Sequence, residues 1–291
     1  MTAEPSSYAA AAAGIVERSA AAFVRAVPQQ PADDGYFGPA SVTWRVAGDL
    51  SGPIAGLRAL LVQALHPLAM AGVDQHSDWR QDPVGRLAAT SAYLATLAYG
   101  DRASADRVAG QVRRVHEQVR GTWEGQPYAA SDPELLLWVH TTFVDSGLAA
   151  CALLGTPQDA DAYVREMSIS AELLGVPPEQ IPADSASLEF FITDRVSRLR
   201  STTAAVETMT YLLDPPGMDD EIGELWQEIR EAVVASLPGW ALRLYEIPAP
   251  PPLTTERRAE IRGALGLLDA VFLGEPGVLE ARQRIALRMR G

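Results

Sequence analysis

Two short segments carry scarce polar side chains into otherwise apolar helical patterns: Asp82-Pro83-Val84-Gly85-Arg86-Leu87-Ala88-Ala89-Thr90 and Arg114-Val115-His116-Glu117-Gln118-Val119-Arg120-Gly121. His116 is one of four histidines and has Val112, Val115 and Val119 around it at helical spacing. An imidazole in that setting is either a hydrogen-bonded core residue or a ligand, and in an apolar pocket a haem iron is its natural partner. Arg86 and Thr90 are four residues apart and share one helix face close to Leu87, Leu94 and Leu97. An inward arginine needs an anion. Two sources are open: a carboxylate on another helix, such as Asp145, or a bound propionate or polarised oxygen in a pocket that Arg86 and Thr90 line.

Other polar groups fall into the same patterns. Arg120, one turn after His116, either reaches a haem propionate or lies in solvent. His140 follows Leu135-Leu136-Leu137-Trp138-Val139 and precedes Val144 and Asp145, as a second pocket wall or a packing histidine. His66 stands before Pro67 and marks a helix end, because the residue before proline is pushed out of the helical region. His76 sits in a polar loop, and Cys151 reads as a small buried hydrophobe. The chain has no Cys-X-X-Cys-His, so any haem is held non-covalently, and no phosphate-binding glycine loop. It also lacks His-Glu-X-X-His and Glu-X-X-His, the inward motifs of zinc and di-iron sites.

The elements that position these residues read as nearly all α, because apolar residues recur at three- and four-residue spacing and no set of period-two segments is visible. Asp82-Pro83 opens a helix to about Tyr99, ended by Gly100; Asp101 opens the next, closing at Gly121. Ser131-Asp132-Pro133-Glu134 has the form of a capping box at the head of a helix toward Gly155. Further helices are expected at 157–175, 185–213, 219–236, 254–273 and 275–290, with turns at Pro177-Pro178, Pro215-Pro216-Gly217 and Pro248-Ala249-Pro250-Pro251-Pro252. Residues 1–35 are expected to be an Ala-rich helical arm and loop, and 36–291 one large helical domain.

With 291 residues and 47% hydrophobic content, the chain can bury a sizeable core. A net charge of −13 argues against a nucleic-acid partner. One cysteine permits no internal disulfide and points to a reducing compartment, the cytoplasm. The best candidate for a membrane span, Leu50 to Val73, is interrupted by Arg58, Gln63 and His66-Pro67, so no integral membrane segment is expected.

An ordered set of motifs adds to this reading: Tyr36-Phe37-Gly38-Pro39-Ala40-Ser41, Ala64-Leu65-His66-Pro67, Gly85-Arg86-X-X-X-Thr90, His116-X-X-Val119-Arg120-Gly121, Tyr128-X-Ala130-X-Asp132-Pro133 and Trp138-Val139-His140. Over roughly residues 36–245 the chain resembles the family that includes latex clearing protein, the rubber oxygenase, and the oxygenase of mycophenolic acid biosynthesis. The resemblance implies an all-α fold with a globin-like core around one haem b, dioxygen as co-substrate, His116 as the iron ligand, and Arg86 and Thr90 beside the haem. Rubber oxygenase has a lysine just before that threonine, where this chain has Ala89. Its glutamate upstream of the arginine falls in the stretch Leu68-Ala69-Met70-Ala71-Gly72 here.

The expectation is therefore a haem b-dependent oxygenase acting on a small hydrophobic substrate, isoprenoid-like or a secondary metabolite, with His116, Arg86, Arg120 and His140 holding the cofactor and Arg86 and Thr90 at the reacting centre. The competing readings are a non-catalytic helical protein that binds haem or a hydrophobic ligand, and a haem-free enzyme using His116, His140 and Arg86 for acid–base and anion-binding work.

Overall fold

The caps read from the sequence organise the chain. A computed structural model describes residues 7–215 and 221–290. Its helices are α1 (Ser7–Ala26), α2 (Val42–Ala47), α3 (Gly52–Ala64), α4 (Pro67–His76), α5 (Pro83–Tyr99), α6 (Arg102–Gln118), α7 (Pro133–Leu153), α8 (Ala160–Leu174), α9 (Ser185–Arg195), α10 (Thr203–Leu213), α11 (Glu221–Ser236), α12 (Gly239–Leu244), α13 (Thr255–Gly274) and α14 (Val278–Arg288). One hairpin, β1 (Arg120–Trp123) with β2 (Gln126–Ala129), interrupts them. The chain is all-α. Pro216 and Gly217 of the expected turn and the expected helix start at 219 lie outside the described residues.

Asp82 accepts a hydrogen bond from Gly85 N at 2.9 Å and Pro83 fills the first turn of α5, where no amide donor is needed. Gly100 N closes that helix on Thr96 O, and Asp101 opens α6 by accepting from Ser104 N at 2.9 Å. Asp132 caps α7 through Glu134 N, so the cap lies one residue beyond the Ser131 expected and no capping box forms. The 185–213 segment is two helices, α9 and α10, separated by a 3-10 turn at Val196–Arg198 whose following strand-like residue, Arg200, donates its amide to Leu65 O at 2.8 Å.

Helix α6 stops at Gln118 instead of running to Gly121. Val119 is extended, and residues 120–129 fold back antiparallel with Gly121 opposite Tyr128. The turn at Glu124 and Gly125 has φ of 48° and 81°, the left-handed pair that a two-residue hairpin requires. A Cβ on Gly121 would lie 2.7 Å from Tyr128 Oη, which is why the position is glycine.

The core is centred on α7, which packs most extensively on α3 and also meets α8, α9 and α11. Ile54, Leu57, Leu61, Val62 and Leu65 repeat at helical spacing along and just beyond α3, and bury against Trp138, Val144 and Cys151 of α7 and Ile229 and Val233 of α11. Each such large side chain contributes about 2 kcal/mol of transfer free energy. The 21-residue α7 is apolar enough to cross a membrane by length and composition, and 67% of its most apolar stretch is buried inside the protein; the 50–73 segment is instead bent by 102° between α3 and α4.

A separate cluster joins the two ends of the chain. Val27, Trp44, Ala98, Tyr99, Ala281 and Ile285 bury together, with Phe23 and Phe37 packed against them. Helix α5 packs chiefly on α1, with smaller contacts to α6 and α2. The helix that carries Arg86 and Thr90 is thus held by the N-terminal helix more than by the α3–α7 core.

Candidate functional site

Arg86 sits one turn into α5, near the cap at Asp82. Its Nη1 donates to Ser77 Oγ at 2.7 Å, a residue at the C-terminal end of α4. No carboxylate is paired with Arg86 among the described residues. Asp145, one candidate partner, is taken by Arg58, whose Nη2 lies 2.7 Å from Asp145 Oδ2. By surface area Arg86 is exposed, yet enough protein surrounds it for desolvation to lower its guanidinium below the usual arginine range. Both hold for a side chain whose stem is surrounded by protein while part of it reaches solvent.

His116 is on α6, which packs against α5. It is half-buried, and its Nδ1 is buried with no hydrogen-bond partner among the described residues. Burial lowers its pKa below 6.5 and the positive charge of Arg86 lowers it further, so the imidazole is neutral at pH 7. Arg86 is thus near enough to His116 for its charge to act on the ring. Thr90 shares the Arg86 face of α5 and donates its hydroxyl to Arg86 O at 3.1 Å, which leaves its oxygen free only as an acceptor.

The other two residues lie outside α5 and α6. Arg120 is exposed at the start of β1 and donates from Nη2 to Glu117 O at 2.5 Å. His140 is buried between α7 and α8, with Nδ1 3.1 Å from Ser170 Oγ. Ser170 already donates its one hydroxyl proton to Met167 O at 2.7 Å, so Nδ1 must carry the hydrogen and donate it to Ser170. Burial then holds the His140 pKa down to about 4. His66 caps α4 by accepting from Ala69 N, and His76 is exposed at the end of that helix.

One residue that the spacing did not single out touches Arg86: Ser77. Ser77, which orients Arg86, is a helix C-cap and has no periodic signature. Tyr93 lies on the same helix at i+7 from Arg86, with its hydroxyl buried and without a partner among the described residues. A pocket of about 450 Å³ lies elsewhere, between α4, the hairpin turn and residues 200–204, and is lined by Met70, Asp74, Trp123, Glu124 and Arg200 among others. It contains none of the five predicted residues.

The donor set fits a haem. The groups available to it are a neutral imidazole, His116, whose Nδ1 has no partner, and a guanidinium, Arg86, without a counter-charge among the described residues. Among the described residues no three His, Cys, Asp or Glu side chains converge to hold a bare metal ion, whereas a haem iron needs only one protein ligand on a side.

The family model described as "ER-bound oxygenase mpaB/B'/Rubber oxygenase, catalytic domain" matches residues 44–270, from within α2 to within α13. No curated protein and no solved structure matches the chain.

Proposed function

This chain belongs to the mpaB/rubber oxygenase catalytic-domain family, and from that premise we propose that it is a haem b-dependent oxygenase acting with dioxygen on a hydrophobic substrate, isoprenoid-like or a secondary metabolite. The observation that carries the haem reading is the pairing of an uncompensated Arg86 with a neutral, half-buried His116. A guanidinium held among protein groups without a carboxylate is stabilised by a ligand anion, and a haem propionate is such an anion. When bound, haem supplies the iron that activates dioxygen.

The chain's own residues have separable tasks. His116 would ligate the iron; its depressed pKa keeps the ring unprotonated and available through the neutral range. Arg86 binds the anionic edge, and Ser77 fixes its guanidinium through the 2.7 Å hydrogen bond. Thr90, exposed on the same helix, would offer its hydroxyl oxygen as an acceptor to the ligand. His140 would support the wall from the α7–α8 interface, since α8 also packs on α6. Arg120, exposed and bonded to Glu117 O through Nη2, would be the second cation within reach of a propionate.

A second reading, a haem or hydrophobic-ligand carrier without turnover, is favoured by Ala89 and by the Leu68–Gly72 stretch, which provide neither the lysine nor the glutamate of rubber oxygenase. One experiment tests both. Expression with a haem precursor and a pyridine haemochrome assay is expected to give one haem per chain and a Soret band, lost in His116→Gly and restored by added imidazole. A colourless protein that hemin does not reconstitute overturns the haem reading. Oxygen consumption with unsaturated substrates then separates oxygenase from carrier.

A further inference from the structure

Residues 200–204 line the cavity of about 450 Å³ that lies between α4 and the hairpin turn. A small organic molecule fits such a volume, the usual range being about 300–1,000 Å³. The segment begins with four consecutive polar residues, Arg200-Ser201-Thr202-Thr203. Its backbone is fixed at both ends: Arg200 N donates to Leu65 O at 2.8 Å, and Thr202 Oγ1 accepts from Ala205 N at 3.2 Å. Its donors are idle. The Arg200 guanidinium has no hydrogen bond or ion pair among the described residues, and neither the Ser201 nor the Thr203 hydroxyl has a partner there. The arginines just before it differ, since Arg195 and Arg198 share Glu134 at 3.4 and 3.1 Å. The rest of the lining combines apolar side chains, Met70 and Ala71 of α4 and Trp123 of β1, with two carboxylates. Arg80 neutralises Asp74 at 2.6 Å, whereas Glu124 at the hairpin turn is unpaired among the described residues. An unpaired arginine on an open surface needs no ligand, because water solvates it. Arg200 instead shares a concave site with two idle hydroxyls and an apolar wall, the composition that suits an amphipathic anion.

We propose that this cavity binds a carboxylate carried on an apolar chain, with Arg200, Ser201 and Thr203 donating to the carboxylate and the chain lying against Met70, Ala71 and Trp123. The site is independent of the haem reading: Arg86, Thr90, His116, Arg120 and His140 do not line it. Glu124 faces the same space and opposes the bound anion, which sets the sign of its own substitution.

Octanoate and octanol, titrated calorimetrically into the full-length protein, are the probes. Wild type is expected to bind octanoate more tightly than octanol. Arg200→Gln keeps the amide bonded to Leu65 O and is expected to melt with wild type, while its octanoate dissociation constant rises about 10- to 100-fold, the effect of a charge-assisted hydrogen bond, and its octanol affinity is unchanged. Glu124→Gln is expected to lower the octanoate dissociation constant about two- to fivefold. His116→Ala is expected to bind octanoate as wild type does. No octanoate binding by wild type at millimolar concentration, equal affinity in wild type and Arg200→Gln, or weaker binding in Glu124→Gln each overturns the proposal. Loss of octanoate binding in His116→Ala with retention in Arg200→Gln places the carboxylate beside His116, and overturns it while leaving the haem reading standing.

Discussion

Arg58 Nη2 lies 2.7 Å from Asp145 Oδ2, and the Arg58 side chain is only 4% exposed. Arg58 also donates to Ser146 Oγ at 2.7 Å and Ser236 O at 2.9 Å, so its guanidinium is fully occupied between α3, α7 and the end of α11. The carboxylate that could have neutralised Arg86 is therefore committed to the core. Asp145→Ala leaves a buried cation facing only neutral partners and is expected to cost about 3 kcal/mol in denaturant unfolding. Hemin affinity measured under folded conditions is expected to stay at the wild-type value. A loss of hemin affinity would mean that Asp145 acts on Arg86 after all.

Arg86→Met removes the charge and keeps most of the volume. A desolvated cation without a counter-charge contributes little to folding, so the melting temperature is expected to stay within a degree or two or to rise. Hemin binding is expected to weaken by roughly 10- to 100-fold, the range for a charge-assisted hydrogen bond. Equal hemin affinity in Arg86→Met and wild type would remove the guanidinium from the site.

These two arginines show where sequence legibility ends. Helix starts were legible at Asp82 and Asp101 because a cap is local: one side chain, one amide, three residues apart. The helices that carry Arg86, Thr90 and His116 were legible from spacing, whereas the exposure of Arg86 and Thr90, on a face read as close to the inward stripe, was not. The choice between Arg58 and Arg86 as partner of Asp145 was not, because it depends on how α3, α5 and α7 stack, which no local pattern records. The hairpin escaped for another reason. Its strands have four residues each, too few for a period-two pattern, and its turn uses Glu124-Gly125 in place of the more telling Asn-Gly. Ser77 gave no signal because a helix C-cap is chosen by its own backbone, while the unpaired state of Tyr93 Oη is a property of three dimensions.

The dependence of α5 on α1 predicts local opening. Phe23 of α1 makes edge contacts with Tyr99 of α5 at 6.1 Å and with Phe272 of α13 at 5.7 Å. Phe23→Ala is expected to cost about 2–3 kcal/mol, less than a fully buried phenylalanine because the ring is half-exposed. Native-state hydrogen exchange is expected to speed up first in α5, with α3 and α7 still protected. Uniform loss of protection across α3, α5 and α7 would show that α5 belongs to the main cooperative core.

His140 gives the stability a pH dependence with a fixed sign. Its pKa is about 4 in the folded protein against the ordinary 6.5, so between those values the unfolded chain binds the additional proton. The stabilisation is fully present above pH 6.5 and is lost as the pH falls toward 4, by about 3 kcal/mol for this group. His66 and His116, whose pKa values are also lowered by burial, add in the same direction. His140→Asn keeps a donor near the Nδ1 position for Ser170 and removes the titration. Melting curves of this variant are expected to flatten between pH 6.5 and about 4 relative to wild type, while at pH 7.5 the two proteins differ by no more than a small packing loss. Equal acid sensitivity in both would mean that His140 is reached by solvent and titrates normally in the folded state.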